Sequence, residues 1–328
     1  MAARGGKGWR WGGAVLGVAV LLGFPIIVSD VYLQHLAIFF LLWVTLGTSW
    51  NLLGGYAGQI SFGHAAFFGM GAYTSSLLFS KLGFPPWPGM LLGGVAGILL
   101  ALPMGYICFR LRGPFFALSM LALSEFLRLV TLNWRDLTEG AVGILLPPFF
   151  ISKLPYYYIA LALAAATMLA TWFLVDSKVG FYLLAIREDQ DAAEALGIDT
   201  TWYKLVALMV SAFFSAMAGS YYANYMAYID PPIVFSIVDI SIAMILVAVL
   251  GGMGTLWGPV VGALVIVTLS EAFRAYFAAA HLIVYGVLII VVIVFMPEGI
   301  VGSLAARGPR WLRPRVATEA APATSKGR

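Results

Sequence analysis

The chain has 328 residues, of which 62% are hydrophobic and only 10% are charged. This composition excludes a soluble domain and is typical of a protein that crosses the membrane several times. The net charge of +4 is therefore weak evidence for a nucleic-acid partner, and we expect none. The single cysteine, Cys108, excludes an internal disulfide, and three scattered histidines have no metal-ligand spacing.

Apolar runs predict an all-α polytopic bundle of about ten spans. The predicted spans are 12–29, 36–53, 64–80, 88–109, 114–132, 156–175, 205–223, 237–253, 259–278 and 282–296. Of the 19 Lys and Arg residues, 14 fall on the side of the basic segment 1–11, which predicts that both termini are cytoplasmic. We thus expect a transmembrane domain over 12–302 and a disordered cytoplasmic tail over 303–328.

A glycine-rich stretch with polar side chains, 51–71, interrupts the second and third spans. Polar amides at membrane depth are costly unless they are used, so the stretch favours a translocation path or gate. The alternative is that its glycines merely allow tight turns or close helix packing. His64 fits a packing or gating residue better than a catalytic base. The candidate path or gate residues are Asn51, Gly54, Gly55, Gly58, Gln59, Ser61, Gly63 and His64.

The motif L-S-E-x-x-R occurs twice, in the outer halves of two predicted spans. Residues three apart lie on one face of a helix, so each motif predicts an ion pair, Glu125 with Arg128 and Glu271 with Arg274. The favoured interpretation is an interfacial pair that neutralises itself and holds helices together. The alternative is an outward-facing mouth that contacts a partner or substrate.

The segment 176–204 carries six of the 15 acidic residues of the chain. A charge at the bilayer centre costs about 2.5–3.5 kcal/mol, so this segment must lie outside the membrane. Within it, 189–196 predicts a short helix that ends at Gly197. Its two interpretations are a docking helix and a solvated connector between spans. The small-residue face and acidic rim of this helix comprise Ala192, Ala193, Leu196, Asp191 and Glu194.

A second glycine-rich stretch, 250–262, has few side-chain donors and favours close packing over a path. The sequence contains neither a P-loop nor a catalytic serine or zinc-protease motif. We therefore expect a transporter or channel subunit and not an enzyme. An ion-coupled secondary transporter would need acidic residues deep in its spans, whereas Glu125 and Glu271 each have an arginine nearby. A purely structural scaffold subunit is a further alternative.

Four motifs carry a resemblance to a known family. They are NLLGGYAGQISFGHAAFFGMGAYTSSLL at 51–78, IREDQDAAEALGID at 186–199, VLGGMGTLWGPVVGA at 249–263 and MPEGIVG at 296–302. Over about 30–302 the chain resembles the LivM-type permease of branched-chain amino-acid ABC importers. The resemblance implies that 176–204 contains the coupling loop that docks on an ATPase subunit. The residues it assigns to this loop are Arg187, Glu188, Asp189, Asp191, Ala192, Ala193, Glu194 and Gly197, with Asp191 where the family consensus has Glu.

The resemblance also implies the partners and the location. It implies a second, LivH-like permease subunit, two ABC ATPase subunits, a periplasmic amino-acid-binding protein and a bacterial inner-membrane location in the lipid bilayer. ATP and Mg would be bound by the partners, with no cofactor on this chain. Related permeases carry urea, amides or aromatic acids, so these substrates are alternatives to branched-chain amino acids.

Overall fold

The computed structural model describes residues 21–28, 30–276 and 299–302, and its elements are nearly all helical. After a helical segment at 21–27, the helices are α1 (Val31–Asn51), α2 (His64–Leu82), α3 (Pro86–Cys108), α4 (Pro114–Asn133), α5 (Arg135–Thr138), α6 (Lys153–Val175), α7 (Lys178–Glu188), α8 (Gln190–Ala195), α9 (Thr200–Met226), α10 (Pro231–Val234), α11 (Ala243–Gly251) and α12 (Gly258–Tyr276). The shorter elements are π-helical turns at Leu52–Tyr56 and Ile237–Ile242, a 3-10 turn at Gly140–Val142, and strands β1 (Ile144–Leu145) and β2 (Tyr228–Ile229).

Six helical stretches of the described chain are long and apolar enough to cross a membrane. Each overlaps a predicted span, so the prediction of a helical multi-pass protein is confirmed. The six are Val31–Tyr56, Pro86–Cys108, Pro114–Asn133, Lys153–Val175, Thr200–Met226 and Pro231–Gly251.

The other predicted spans have different outcomes. Helix α2 fills the predicted span 64–80 but is not among the six, since its polar residues, among them His64 and several Ser and Thr, lower its mean hydropathy. Helix α12 fills most of 259–278. Only 21–28 of the first predicted span is described, and the span 282–296 lies outside the described residues, as do segments 1–11 and 303–328. The count of ten spans therefore stays a prediction.

Contacts between the connecting segments agree with helices that alternate in direction. The connections after α1, α3, α6 and α11 should share one face of the bundle, and those after α2, α4 and α9 the opposite face. Arg112 after α3 contacts Asp191 after α6, with 2.5 Å between the charged atoms. On the opposite face, Lys81 donates to the carbonyl of Asp136 at 3.1 Å, and β1 pairs antiparallel with β2.

Helix α9 occupies the centre of the bundle, where it packs against α1, α2 and α3. Glycines permit this close approach, because apolar helices in lipid associate through shape and small residues and not through hydrophobic exclusion from water. A Cβ on Gly71 of α2 would overlap the backbone of Ala216 on α9. A Cβ on Gly219 of α9 would overlap the backbone of Phe68 on α2. The α2–α9 contact therefore depends on both glycines.

We expect Gly71→Ala to lower the free energy of unfolding by about 1–3 kcal/mol, because the added methyl group must separate two packed backbones. Thermal unfolding of the detergent-solubilised protein, followed by size-exclusion chromatography, measures the change. Gly89→Ala is the matched control, since a Cβ on Gly89 would lie 3.7 Å from its nearest neighbour, the Cβ of Ser75, which is an ordinary van der Waals contact. Equal stability of the two variants would contradict the packing interpretation.

Candidate functional site

The segment 176–204, called the coupling segment below, folds into α7, α8 and the first turn of α9. Each of these helices begins at a side chain that accepts a backbone hydrogen bond, which satisfies a free N–H group of the first turn. Ser177 accepts from Val179 and Asp199 from Trp202, and Asp189 accepts from Ala192 at 3.0 Å.

The predicted helix end at Gly197 is present. Helix α8 is six residues long, and Gly197 has φ +84°, a conformation that glycine adopts without strain. The N–H of Ile198 reaches back to the carbonyl of Ala193 at 3.1 Å, which closes the helix end. Glu188 is the exposed last residue of α7.

One expectation about α8 needs correction, because its predicted small-residue face does not lie on one surface. Ala193 is only 2% exposed and packs within the chain itself. Ala192 is exposed, and Leu196 is 82% exposed. The surface that α8 offers to another protein therefore contains Leu196 and Ala192, and Ala193 anchors the helix to the permease. Periodicity placed these residues on one side, but Leu196 follows the last helical residue.

The acidic rim of α8 is bound to the loop between α3 and α4. Arg112 forms ion pairs with Asp191 at 2.5 Å and with Glu194 at 3.3 Å. Thr200 donates to Glu194 at 2.6 Å, and Gln190 donates to the same oxygen at 2.9 Å. The hydrogen bond from Thr200, followed by that from Gln190, lowers the pKa of Glu194, so its carboxylate is charged at neutral pH.

A buried lysine completes the attachment of α8. Lys204 of α9 is fully buried and donates to the side-chain oxygen of Gln190 at 3.2 Å. Its ammonium also lies 5.1 Å from the ring centroid of Phe109, within range of a cation–π interaction. Contacts to α9 and to the α3–α4 loop thus hold α8 as one unit with the membrane helices.

Arg187 links the coupling segment to both glycine-rich stretches. It donates to the carbonyl of Gly55 at 2.8 Å. A Cβ on Gly254 would overlap the Arg187 guanidinium, and a Cβ on Gly58 would lie 3.1 Å from the Arg187 side chain. Gly58 also has φ +69°. The glycines are therefore needed at this point because the arginine passes directly against the backbone.

The two glycine-rich stretches contact each other through Asn51. Its amide nitrogen donates to the carbonyl of Thr255 at 2.9 Å, and its amide oxygen accepts from the N–H of Gly254 at 2.9 Å. Asn51 is completely buried, and Gly55 lies so close that a Cβ there would overlap the Asn51 amide. The buried amide of Asn51 therefore binds the non-helical turn after α11 to α1.

The rest of the first stretch is also held by internal contacts. The indole of Trp50 donates to the carbonyl of Ser61 at 2.8 Å, and a Cβ on Gly54 would overlap the Trp50 ring. The hydroxyl of Ser61 accepts from the N–H of Gly63 at 3.2 Å. Gln59 is half-buried, and its amide makes one long bond of 3.4 Å to a neighbouring backbone carbonyl.

His64 is buried and lies 2.8 Å from the hydroxyl of Ser211 on α9. Ser211 donates its one hydroxyl proton to the carbonyl of Ser49 at 2.6 Å. His64 Nε2 must therefore carry a proton and donate it to Ser211. Next to it, Ser241 caps the start of α2 by accepting from the N–H of Ala65 at 2.9 Å. These bonds fit the predicted packing or gating role, and the gate itself stays a prediction.

The two predicted charge pairs differ in what the structure describes. Arg128 donates to Glu125 through three contacts of 2.5–3.0 Å, as the spacing predicted. Glu271 accepts from the hydroxyl of Tyr32 at 2.8 Å. The side chain of Arg274 lies outside the described part of the structure.

Sequence reasoning missed the partners of the candidate residues: Arg112, Thr200, Ser211, Ser241 and Thr255. Most lie far along the chain from the residues they bind, so no local spacing indicates them. Arg112 had the clearest signal, because the charge asymmetry placed it on the same side of the membrane as the acidic coupling segment.

The fold and the site together define a polytopic helical membrane protein with a charged extramembrane helix bound to broken spans. The chain belongs to the family described as branched-chain amino acid transport system / permease component, which it matches over residues 32–293. It is a permease-family transport protein, and this is not a family of enzymes.

Curated relatives support the same family. The high-affinity branched-chain amino acid transport system permease protein LivM of Salmonella typhimurium is 27% identical over 313 residues, which are 86% of this chain and 73% of the relative. LivM of Escherichia coli is 26% identical, with 79% and 68% covered. LivH of Salmonella typhimurium is also 26% identical, with 79% and 93% covered. No solved structure matches the chain.

We expect Asn51→Ala to lower the free energy of unfolding by about 1–3 kcal/mol, because backbone groups of the partly buried residues Gly254 and Thr255 lose their hydrogen-bond partners. Thermal unfolding in detergent measures this loss. Gln59→Ala is the control, since Gln59 is only half-buried and makes one long hydrogen bond. If both variants unfold at the wild-type temperature, Asn51 does not bind the two glycine-rich stretches together.

Proposed function

We propose that this chain is a permease subunit of an ABC importer that moves branched-chain amino acids across a bacterial inner membrane. Its partners are a second, LivH-like permease subunit, two ATPase subunits and a periplasmic binding protein. The names of the relatives support the substrate and the pairing, because both LivM and LivH proteins match this chain. ATP and Mg belong to the ATPase subunits in this proposal.

The coupling segment carries the proposal. Helix α8 is capped and attached on two sides, and it exposes Leu196 away from the permease. A small helix held rigidly outside the membrane suits docking into a groove on another protein. Its neighbour Arg187 contacts the break after α1 and lies against the turn after α11. A displacement of α8 would therefore reach both glycine-rich stretches through direct contacts.

The mechanism follows as a shift between two arrangements of the spans. ATP-driven closure of the ATPase pair moves the two docked coupling segments, and each moves its permease between inward and outward access. Pro103 lies within α3, and π-helical turns interrupt two other spans, so these helices contain points where the backbone can bend. The path itself needs no tight site, since the binding protein selects the substrate.

Leucine uptake by the reconstituted complex tests the function. Proteoliposomes that contain both permeases and the ATPases, supplied with ATP inside and leucine-loaded binding protein outside, should accumulate labelled leucine. Urea, acetamide and benzoate, each offered with the same binding protein, should not be accumulated. Accumulation of leucine without ATP would instead favour a secondary transporter or channel.

Leu196→Asp should weaken association with the ATPase subunits by at least about tenfold, because it places a charge in the docked interface. Co-purification of the ATPases and leucine uptake should both fall, while the permease stays in the membrane. Leu145→Asp is the matched control, since Leu145 is 78% exposed on the opposite face of the bundle. Equal ATPase recovery with both variants would exclude Leu196 from the docking surface.

Arg187→Ala should leave ATPase binding intact and reduce leucine uptake per ATP hydrolysed, because the coupling segment loses its contact with Gly55. Parallel assays of ATP hydrolysis and uptake in proteoliposomes measure the ratio. Arg110→Ala is the control: Arg110 is an exposed arginine in the α3–α4 loop whose guanidinium bonds to Tyr106 of α3. An unchanged ratio for Arg187→Ala would show that the contact carries no coupling.

A further inference from the structure

Helix α4 holds an ion pair well inside a candidate membrane span. Glu125 lies eleven residues after Pro114 in this 20-residue helix, which places it about 16 Å along a length of about 30 Å. Arg128 lies one turn further along α4, nearer to the face of the bundle that is opposite the coupling segment. Ionisable groups at such depth almost always face a bundle interior or a water-filled cavity, and they indicate a functional site by default.

The residues that the structure describes do not enclose this pair. The side chain of Glu125 is 36% exposed and that of Arg128 is 24% exposed. Of the six candidate spans, α4 is also the least covered by the rest of the described chain. Exposed at this depth, the pair faces either lipid or a space that another subunit closes off. Lipid is the unfavourable alternative, because hydrocarbon solvates neither the carboxylate nor the guanidinium.

A second exposed acid lies on a neighbouring element. Asp239 is exposed in the π-helical turn Ile237–Ile242, which packs against α4. Its carboxylate accepts from the hydroxyl of Ser236 at 2.6 Å. Asp239 lies eight residues after the start of the candidate span Pro231–Gly251, which begins at the face of the bundle that Glu125 approaches. Two adjoining candidate spans thus carry exposed charged groups between their ends.

We propose that the face of α4 with Glu125 and Arg128 borders the translocation path, and that the pair contacts the charged head group of a passing α-amino acid. This inference rests on the proposed function. The substrate ammonium bonds to the Glu125 carboxylate, and the substrate carboxylate bonds to the Arg128 guanidinium. The bonds to Glu125 use Nε and Nη2 of Arg128, so the Nη1 donors remain available among the described residues.

This exchange of hydrogen-bond partners would let the substrate pass the pair without being held there. The substrate ammonium competes with Arg128 for the Glu125 carboxylate, so the substrate gains little net affinity at this point. A step along a permeation path must be favourable enough to enter and weak enough to leave. An unpaired charge would instead bind one end of the zwitterion strongly and repel the other.

Accessibility of a cysteine tests whether this face meets water. Ala122→Cys places a thiol one turn before Glu125 on the exposed side of α4, and it leaves the pair intact. Ala165→Cys places the same thiol at similar depth on the exposed side of α6. The native Cys108 is buried and supplies the background rate. The probe is a membrane-impermeant methanethiosulfonate reagent, applied to the full complex in proteoliposomes.

We expect the reagent to modify Ala122→Cys at least about tenfold faster than Ala165→Cys, because only a thiol in contact with water forms the reactive thiolate. Leucine-loaded binding protein should slow the modification. If Ala122→Cys reacts as slowly as Ala165→Cys, this face lies in lipid and the inference is wrong.

Exchange of the charges tests contact with the substrate. Arg128→Gln should lower the maximal rate of leucine uptake by about tenfold through the loss of a charge-assisted hydrogen bond. The double variant Glu125→Arg with Arg128→Glu keeps the ion pair but reverses its polarity, so uptake should stay low. Restored uptake would show that the pair only stabilises the fold. If the wild-type complex takes up no leucine, the proposed function is wrong. That outcome is distinct from a failure of this inference, which concerns only the variants.

Discussion

The membrane interior offers no water to a broken helix, so every interrupted backbone must find its hydrogen bonds elsewhere in the protein. The rest of this structure depends on that constraint. Asn51 binds the turn after α11 through both ends of its amide, and Ser241 caps the start of α2 from another broken span. These bonds make the two glycine-rich stretches parts of one assembly. The assembly can leave backbone groups outside a helix because other parts of the same protein supply their hydrogen bonds.

Arg187 extends this assembly out of the membrane. Backbone carbonyls at a helix break are acceptors that lack a helical partner, and the carbonyl of Gly55 is bonded by the guanidinium. The glycines nearby leave room for the arginine to reach the backbone, so small residues and one long cation together form the connection. Helix α8 beyond it is held by Arg112 and Lys204, which attach it to the α3–α4 loop and to α9.

Much of this organisation could be predicted from the sequence. Apolar periodicity gave the helical class and most span positions, and the charge asymmetry grouped the connections correctly by face. Local spacing gave the pairing of Glu125 with Arg128 and the helix end at Gly197. The ion pair and the helix end each depend on residues that are close together in the chain. The burial of Ala193 and the exposure of Leu196 could not be predicted, because they depend on where α9 and the α3–α4 loop lie in space.

The structure also changes the interpretation of the polar residues of the first glycine-rich stretch and of the ion pair on α4. Sequence reasoning favoured a path at Asn51–His64 and an interfacial role for Glu125 and Arg128. In the structure, Asn51 and His64 are buried with protein partners, whereas the pair on α4 is exposed at depth. The Asn51 amide, which already makes two hydrogen bonds within the protein, has little left to offer a passing solute. A paired charge that stays accessible can still exchange partners, so the pair on α4 is the better candidate for a substrate contact.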